Sequence, residues 1–145
     1  MRKITFKIES RLDATPLLGQ MVNALCSAAG LSPTDAGFVE VSVVEAANNA
    51  IEHAYLGDPN NFVEVSVSLA PDALIFDVFD SGKSADPDFV HSNHQGALSL
   101  SEETLAHASE RGRGLAIIQQ VMDSIEYTPG SGRNRFRLIK RLRAT

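Results

Sequence analysis

Val44-Glu45-Ala46-Ala47-Asn48-Asn49-Ala50-Ile51-Glu52-His53 lies inside a run that stays compatible with helix from Pro33 to about Tyr55. Ser32-Pro33-Thr34-Asp35 marks its start: a Ser-x-x-Asp spacing like a capping box, with proline in the first turn. At about 100° per residue, Glu45, Asn48, Asn49 and Glu52 fall within one face, and Val43, Ala47, Ala50 and Ala54 fall opposite. One side packs and the other presents oxygens. Such a stripe is either the solvated face of an amphipathic helix or, since carboxylate and amide oxygens suit a hard cation, a ligand set for magnesium. Adjacent asparagines are poor helix formers, so something other than propensity keeps them there.

Outward from this helix, the N-terminal side gives one strand and one further helix. Ile4, Phe6 and Ile8 alternate with Lys3, Lys7 and Glu9, a period of two that predicts a half-buried strand over residues 2–9. Asp13-Ala14-Thr15-Pro16 places a capping side chain before a first-turn proline, predicting a helix over about residues 14–29 that closes at Gly30. On the C-terminal side, Gly57-Asp58-Pro59-Asn60 is a turn, and Val63, Val65, Val67 and Leu69 alternate with Glu64, Ser66 and Ser68. With Pro71-Asp72 as a second turn and the apolar run Ala73 to Phe79, this reads as an antiparallel hairpin. From Gly82 to about Arg111 the chain is rich in Ser, Asp, Pro, His, Asn and Gly, and only residues 101–109 look helical. A segment of that kind inside a compact domain serves as a lid or functional loop. A helix over about Leu115–Met122 and two strands, Ser124–Thr128 and about Asn134–Leu142, complete the chain.

The 145 residues suit one domain. With 43% apolar and 21% charged residues, neither wholesale disorder nor a fibrous repeat fits. Lys and Arg number 13 against 18 Asp and Glu, and a net charge of -5 disfavours nonspecific nucleic-acid binding. Nothing approaches the roughly 20 apolar residues of a membrane span, and the alternating N-terminus is not a signal segment. The one cysteine, Cys26, reads as a small buried apolar residue compatible with a reducing compartment. A cytoplasmic location is expected.

Two further constellations carry chemistry. In Val78-Phe79-Asp80-Ser81-Gly82 an acid leaves an apolar strand just before a glycine. It is either a plain turn or a carboxylate aimed into a cleft, where it accepts a hydrogen bond from a ligand amino group. In Arg111-Gly112-Arg113-Gly114-Leu115 glycines open a helix, either as a Gly-rich cap or as a phosphate cradle that uses backbone N–H groups and the helix N-terminus. It matches neither the dinucleotide fingerprint nor a Walker loop.

The order of a polar helix face, an acid and glycine after a strand, a long lid and a glycine-rich helix start resembles the N box, glycine boxes and lid of the GHKL ATPases. More closely, Glu45 to Ala54, Asp77 to Gly82 and Gly112 to Ile118 resemble the bacterial anti-sigma-factor serine-protein kinases, and Met122 to Tyr127 followed by Arg133-Asn134-Arg135 fits that family's closing strands. The resemblance spans nearly the whole chain. It implies an α+β fold of Bergerat type: a two-layer sandwich, a mixed and mostly antiparallel sheet with helices on one face, and an ATP lid over about residues 83–111 of a single 1–145 domain.

By the same resemblance Asn49 matches the magnesium-ligating asparagine, and Glu45 the acid that orients or deprotonates the attacking hydroxyl. Asp80 matches the reader of the adenine amino group, with Gly82 beside the base. Gly112 and Gly114 match the phosphate-contacting glycines, Arg113 adds charge there, and Asn48 and Glu52 join the set from the same helix face. The implied cofactors are ATP and Mg2+. The implied activity is that of a serine/threonine protein kinase and anti-sigma factor, which phosphorylates a serine on an antagonist protein and sequesters a sigma factor. The alternative is a non-catalytic ATP-binding module of the same fold. Lys83-Ser84 follows Gly82 where many relatives have a second glycine, which bears on that choice. A sensor histidine kinase would need a phosphoacceptor domain before the first strand, and none is expected.

Remaining features divide more blandly. His91, His94 and His107 read as loop histidines in preference to a zinc site. His53 supports or caps the second helix. Arg133, Arg135, Arg137, Lys140, Arg141 and Arg143 make a basic C-terminal strand, either solvated or facing an acidic partner. A homodimer is expected, with neither nucleic acid nor membrane as a direct partner.

Overall fold

The computed structural model describes residues 1–91 and 114–143. Five strands, β1 (Arg2–Glu9), β2 (Phe62–Leu69), β3 (Ala73–Asp80), β4 (Ser124–Thr128) and β5 (Asn134–Arg141), form one sheet in the order β1-β2-β3-β5-β4. Every pairing is antiparallel, so the sheet expected to be mostly antiparallel is wholly so among the described residues. Its register lays one row, Phe6-Val65-Val78-Phe136-Tyr127, straight across all five strands, and Ile4-Val67-Phe76-Leu138-Ile125 beside it. Between them runs a row of opposite parity, Thr5-Ser66-Asp77-Arg137-Glu126. Since side chains alternate across a strand, the apolar rows share one face and the polar row occupies the other.

Three helices pack on the apolar face: α1 (Thr15–Ala28), α2 (Pro33–Asn49) and α3 (Gly114–Val121). Helix α2 touches both of the others, so it is the middle member of the helical layer. Leu18, Val22, Val39, Val43, Ala47 and Ile117 join Val65, Phe76 and Leu138 in one buried cluster. Each large side chain buried this way stabilises the fold by about 1.5–3 kcal/mol before ordering costs.

The start of α2 forms as its sequence signals, with the Ser32 hydroxyl accepting the Asp35 N–H at 3.1 Å. The start of α1 does not. Asp13 is taken by Arg11 in a two-point pair at 3.1 and 3.0 Å, and a short 3-10 turn, Leu12–Ala14, leads into the helix with no side-chain cap. Helix α2 also stops earlier than its pattern suggests. It gives way at Ala50–Ala54 to a π-type turn, in which the Tyr55 N–H reaches back to the Ala50 carbonyl at 3.0 Å. A second 3-10 turn, Pro87–His91, occupies part of the segment read as lid. The helical stretch expected at 101–109 lies outside the described residues, as do His94, His107, Gly112 and Arg113. No helix among the described residues is long and apolar enough to cross a membrane.

Candidate functional site

Where the end of α2 faces the ends of β3, β4 and β5, a cavity of about 450 Å³ opens. That volume is in the range of small-molecule sites. Ala46, Asn49, Ala50 and His53 form its helical wall, a stripe at i, i+3, i+4 and i+7 that includes the π-type turn. Val78, Tyr127 and Phe136 give it an apolar floor from the sheet, and Lys83 to Asp86 form a rim. Asp80 joins this floor because it shares parity with Val78 and Phe76 and so faces the helices.

Asp80 is buried, and its carboxylate is held from one side. Oδ1 accepts from the Gly82 N–H at 3.0 Å and from the Asn134 side-chain amide at 2.8 Å. Burial pushes its pKa above the ordinary carboxylate value, while the Asn134 and Gly82 hydrogen bonds pull it back. Gly82 itself is required by close packing: a Cβ there would run into the Ala54 carbonyl oxygen and lie 2.9 Å from the Tyr55 ring. The next N–H, of Lys83, donates to that same carbonyl at 2.9 Å. The acid is thereby fixed where β3 meets the π-type turn.

Tyrosines tie down the same loop. The Tyr55 hydroxyl accepts the Ser81 N–H at 2.7 Å and donates to the Phe62 carbonyl at 2.7 Å. The Tyr127 hydroxyl accepts the Ala85 N–H at 3.0 Å, and burial raises its pKa. Farther along, the Gln119 side chain on α3 donates to the Val90 carbonyl at 2.8 Å, anchoring the segment that leads away from the cavity.

Of the residues singled out from the sequence, Asn49 and Asp80 line the cavity together. Glu45 lies one turn before Asn49 against the start of α3, where a Cβ on Gly114 would collide with its carboxylate. Gly114 therefore makes room for Glu45. Asn48 and Glu52 are not among the lining residues; Glu52 is exposed, and Asn48 buries its Oδ1 without a hydrogen-bond partner. The lining stripe runs through 46, 49, 50 and 53, whereas the sequence reading followed 45, 48, 49 and 52, and the two share Asn49. His53, read as a support, lines the cavity, and the i, i+4 step from Asn49 was its signal. Asn134 and Tyr127 were missed. Asn134 shares the parity of Phe136 and Leu138, so a polar residue on an apolar row was the available clue.

The donor set suits a nucleotide with magnesium. Asn49 offers a hard neutral oxygen, and Asp80 an acceptor beside the apolar floor. Among the described residues no cluster of three or more His, Cys, Asp or Glu is placed to hold a metal. A cation beside Asn49 would therefore take its other ligands from phosphate and water, as magnesium does in phosphate sites.

The basic C-terminal strand is spent largely within the chain. Arg137 holds Asp77 through two bonds of 2.7 and 2.9 Å, and Arg135 pairs with Glu126 at 3.1 Å. Arg133 pairs with Glu64 while stacking 3.7 Å from the Phe79 ring centroid, and Lys140 donates to the Val121 carbonyl.

Residues 8–140 match the family described as histidine kinase-like ATPase domain. Serine-protein kinase RsbW of Bacillus licheniformis is 30% identical over 137 residues, covering 91% of this chain and 84% of that protein. The protein of the same name from Bacillus subtilis (strain 168) is 27% identical over 129 residues, with 89% and 79% covered. Among solved structures, the RsbU and RsbW domains of Rv1364c from Mycobacterium tuberculosis superpose with a TM-score of 0.66 at 16% identity, covering 97% of this chain and 32% of that one. That likeness speaks to the fold. With the family model matched over residues 8–140 and a relative of 30% identity covered over 84% of its length, the chain belongs to the histidine kinase-like ATPase domain family, among the bacterial anti-sigma-factor serine-protein kinases.

Proposed function

We propose that the protein is an ATP-dependent serine/threonine protein kinase and anti-sigma factor of a partner-switching pathway. In this reading it binds ATP and magnesium, sequesters a sigma factor, and phosphorylates a serine on an antagonist protein. The observation that carries it is the single cavity gathering Asn49 from α2 and Asp80 from β3, with Glu45 one turn away against Gly114. The relatives named serine-protein kinase supply the reaction class.

In this reading ATP supplies the transferable phosphoryl group, with magnesium offsetting the charge of its phosphates. Asp80 accepts from the base amino group, while Val78 and Phe136 exclude water around the ring. Asn49 offers its amide oxygen on the phosphate side, with Gly112, Arg113 and Gly114 completing the anion cradle. Glu45 takes the proton of the incoming serine hydroxyl; the serine oxygen bonds phosphorus, and the bond to the departing ADP oxygen breaks. A positioned base of this kind contributes about 10²–10⁴ in rate. The phosphate then carries close to two negative charges into the interface, which weakens the antagonist's hold on the kinase.

The non-catalytic alternative drew its force from Lys83-Ser84. Ser84 donates to Asn134 at 2.7 Å and the Lys83 N–H to Ala54, so the loop is anchored without a second glycine, and both readings keep an ordered wall beside Asp80. Glu45→Gln is expected to lower phosphotransfer at least about 10²-fold with ATP binding retained, and Asn49→Ala to abolish magnesium-dependent ATP binding, both with unchanged circular dichroism. Unchanged transfer in both would overturn the assignment.

A further inference from the structure

Asn134, at the head of β5, is 1% exposed and directly opposite Asp80 in the sheet register. Its amide has every group engaged. The Nδ2 donates to Asp80 Oδ1 at 2.8 Å and to the Gly82 carbonyl at 3.1 Å, and its Oδ1 accepts from the Ser84 hydroxyl at 2.7 Å and the Gly130 N–H at 3.3 Å. The pattern fixes which end of the amide is which, since each donor meets an acceptor and each acceptor a donor. One side chain thus clamps the acid, the glycine beside it, the first loop residue on the rim, and the turn between β4 and β5.

We infer that Asn134 is the positioning residue that sets base selectivity: by occupying one oxygen of Asp80 it leaves the other turned to the cavity as a fixed acceptor, selecting a purine 6-amino group over a 6-oxo group. The inference rests on the nucleotide reading above and deepens it. Asp80 Oδ1 already receives two donors, from Asn134 and Gly82, and Asp80 contributes to the cavity lining, so Oδ2 is the oxygen open to a ligand. An adenine amino group donates to that oxygen. A guanine carbonyl would bring a second acceptor against it, and a buried mismatch of this type is strongly rejected. Two hydrogen bonds to the ionised form also oppose the effect of burial. A protonated Asp80 would instead offer an O–H to the 6-oxo group and blur the choice.

Ser84 gives this arrangement a second handle. It sits on the exposed rim, and its hydroxyl orients the Asn134 amide from the far side. Removing that hydroxyl loosens the clamp without opening the core.

Binding of ATP and of GTP, each with magnesium, is to be measured by calorimetry on the full chain and on Asn134→Leu, Asn134→Thr and Ser84→Ala. The expected result is a wild-type preference for ATP that falls at least about tenfold in Asn134→Leu, the scale of a hydrogen bond to a charged group. It falls about two- to threefold in Ser84→Ala, through weakened ATP binding with GTP binding held or improved. A purely structural role would weaken both nucleotides alike; an unchanged ATP-to-GTP ratio in every folded variant overturns the inference, as does a wild type without preference. If Asn134→Leu does not fold, Ser84→Ala and Asn134→Thr decide by the same ratio. Wild-type binding of neither nucleotide overturns the nucleotide reading itself, which separates that failure from this one.

Discussion

Asp80 is a carboxylate kept in a place where its charge is disfavoured. Burial raises its pKa above the ordinary value of 3.8, and the Asn134 and Gly82 hydrogen bonds recover part of that. A carboxyl group whose folded pKa is raised favours folding below the unfolded value and loses that contribution as pH rises through the folded one. At neutral pH Asp80 therefore weighs against the fold. Asp80→Asn retains an oxygen for the Asn134 and Gly82 donors and removes the charge. Its melting temperature at pH 7 is expected to exceed the wild type's, with the gap closing as pH falls toward 4, while ATP affinity drops by about 10²-fold or more. Calorimetric scans across pH alongside ATP titrations check this; an equal or lower melting temperature with ATP binding intact would contradict it. Asp80 was legible because an acid before a glycine at a strand end is a local pattern. Asn134 was not, because its importance depends on a partner 54 residues away.

At the scale of elements, the strands and the start of α2 followed from periodicity and a capping residue, while the start of α1 and the junctions did not. Helix α2 was read as continuous to Tyr55 because nothing in Ala50-Ile51-Glu52-His53-Ala54 breaks a helix, yet the last turn widens to a π-type turn. A π-type turn is set by what its surroundings demand, here the meeting of the Ala54 carbonyl with Gly82 and Lys83, and such turns recur at functional sites. The capping role expected of Asp13 failed because its carboxylate is engaged by the Arg11 guanidinium through two hydrogen bonds. Gly82→Ala tests the junction. Its methyl group would meet backbone, which cannot swing aside, so the variant is expected to lose about 2–4 kcal/mol by urea denaturation and to bind ATP poorly. Stability within 0.5 kcal/mol of the wild type, a margin of about the size of surface effects, would show that the contact is not needed.

Across the whole molecule, alternation told which side of each strand is buried, but not that Arg135 and Arg137 of β5 face acids on neighbouring strands. That pairing depends on register: Arg137 stands opposite Asp77 and Glu126, so part of the basic strand, read as either solvated or facing an acidic partner, is balanced inside one sheet face. The core has its own reporter. Cys26 is fully buried on α1, and desolvation, with a smaller contribution from Glu40, pushes its thiol up to about 12. At pH 8 it is expected to react with a disulfide reagent only when the domain opens, at a rate that tracks global unfolding in rising urea. Rapid labelling of the native protein would contradict the packing of α1 on the sheet.

The central claim, that this cavity holds ATP for transfer to a serine, is tested most directly by incubating the protein with γ-labelled ATP, magnesium and its cognate antagonist. The account predicts label on a serine of the antagonist with the wild type and none above background with Glu45→Gln. An antagonist left unlabelled by a wild-type protein that binds ATP would contradict it.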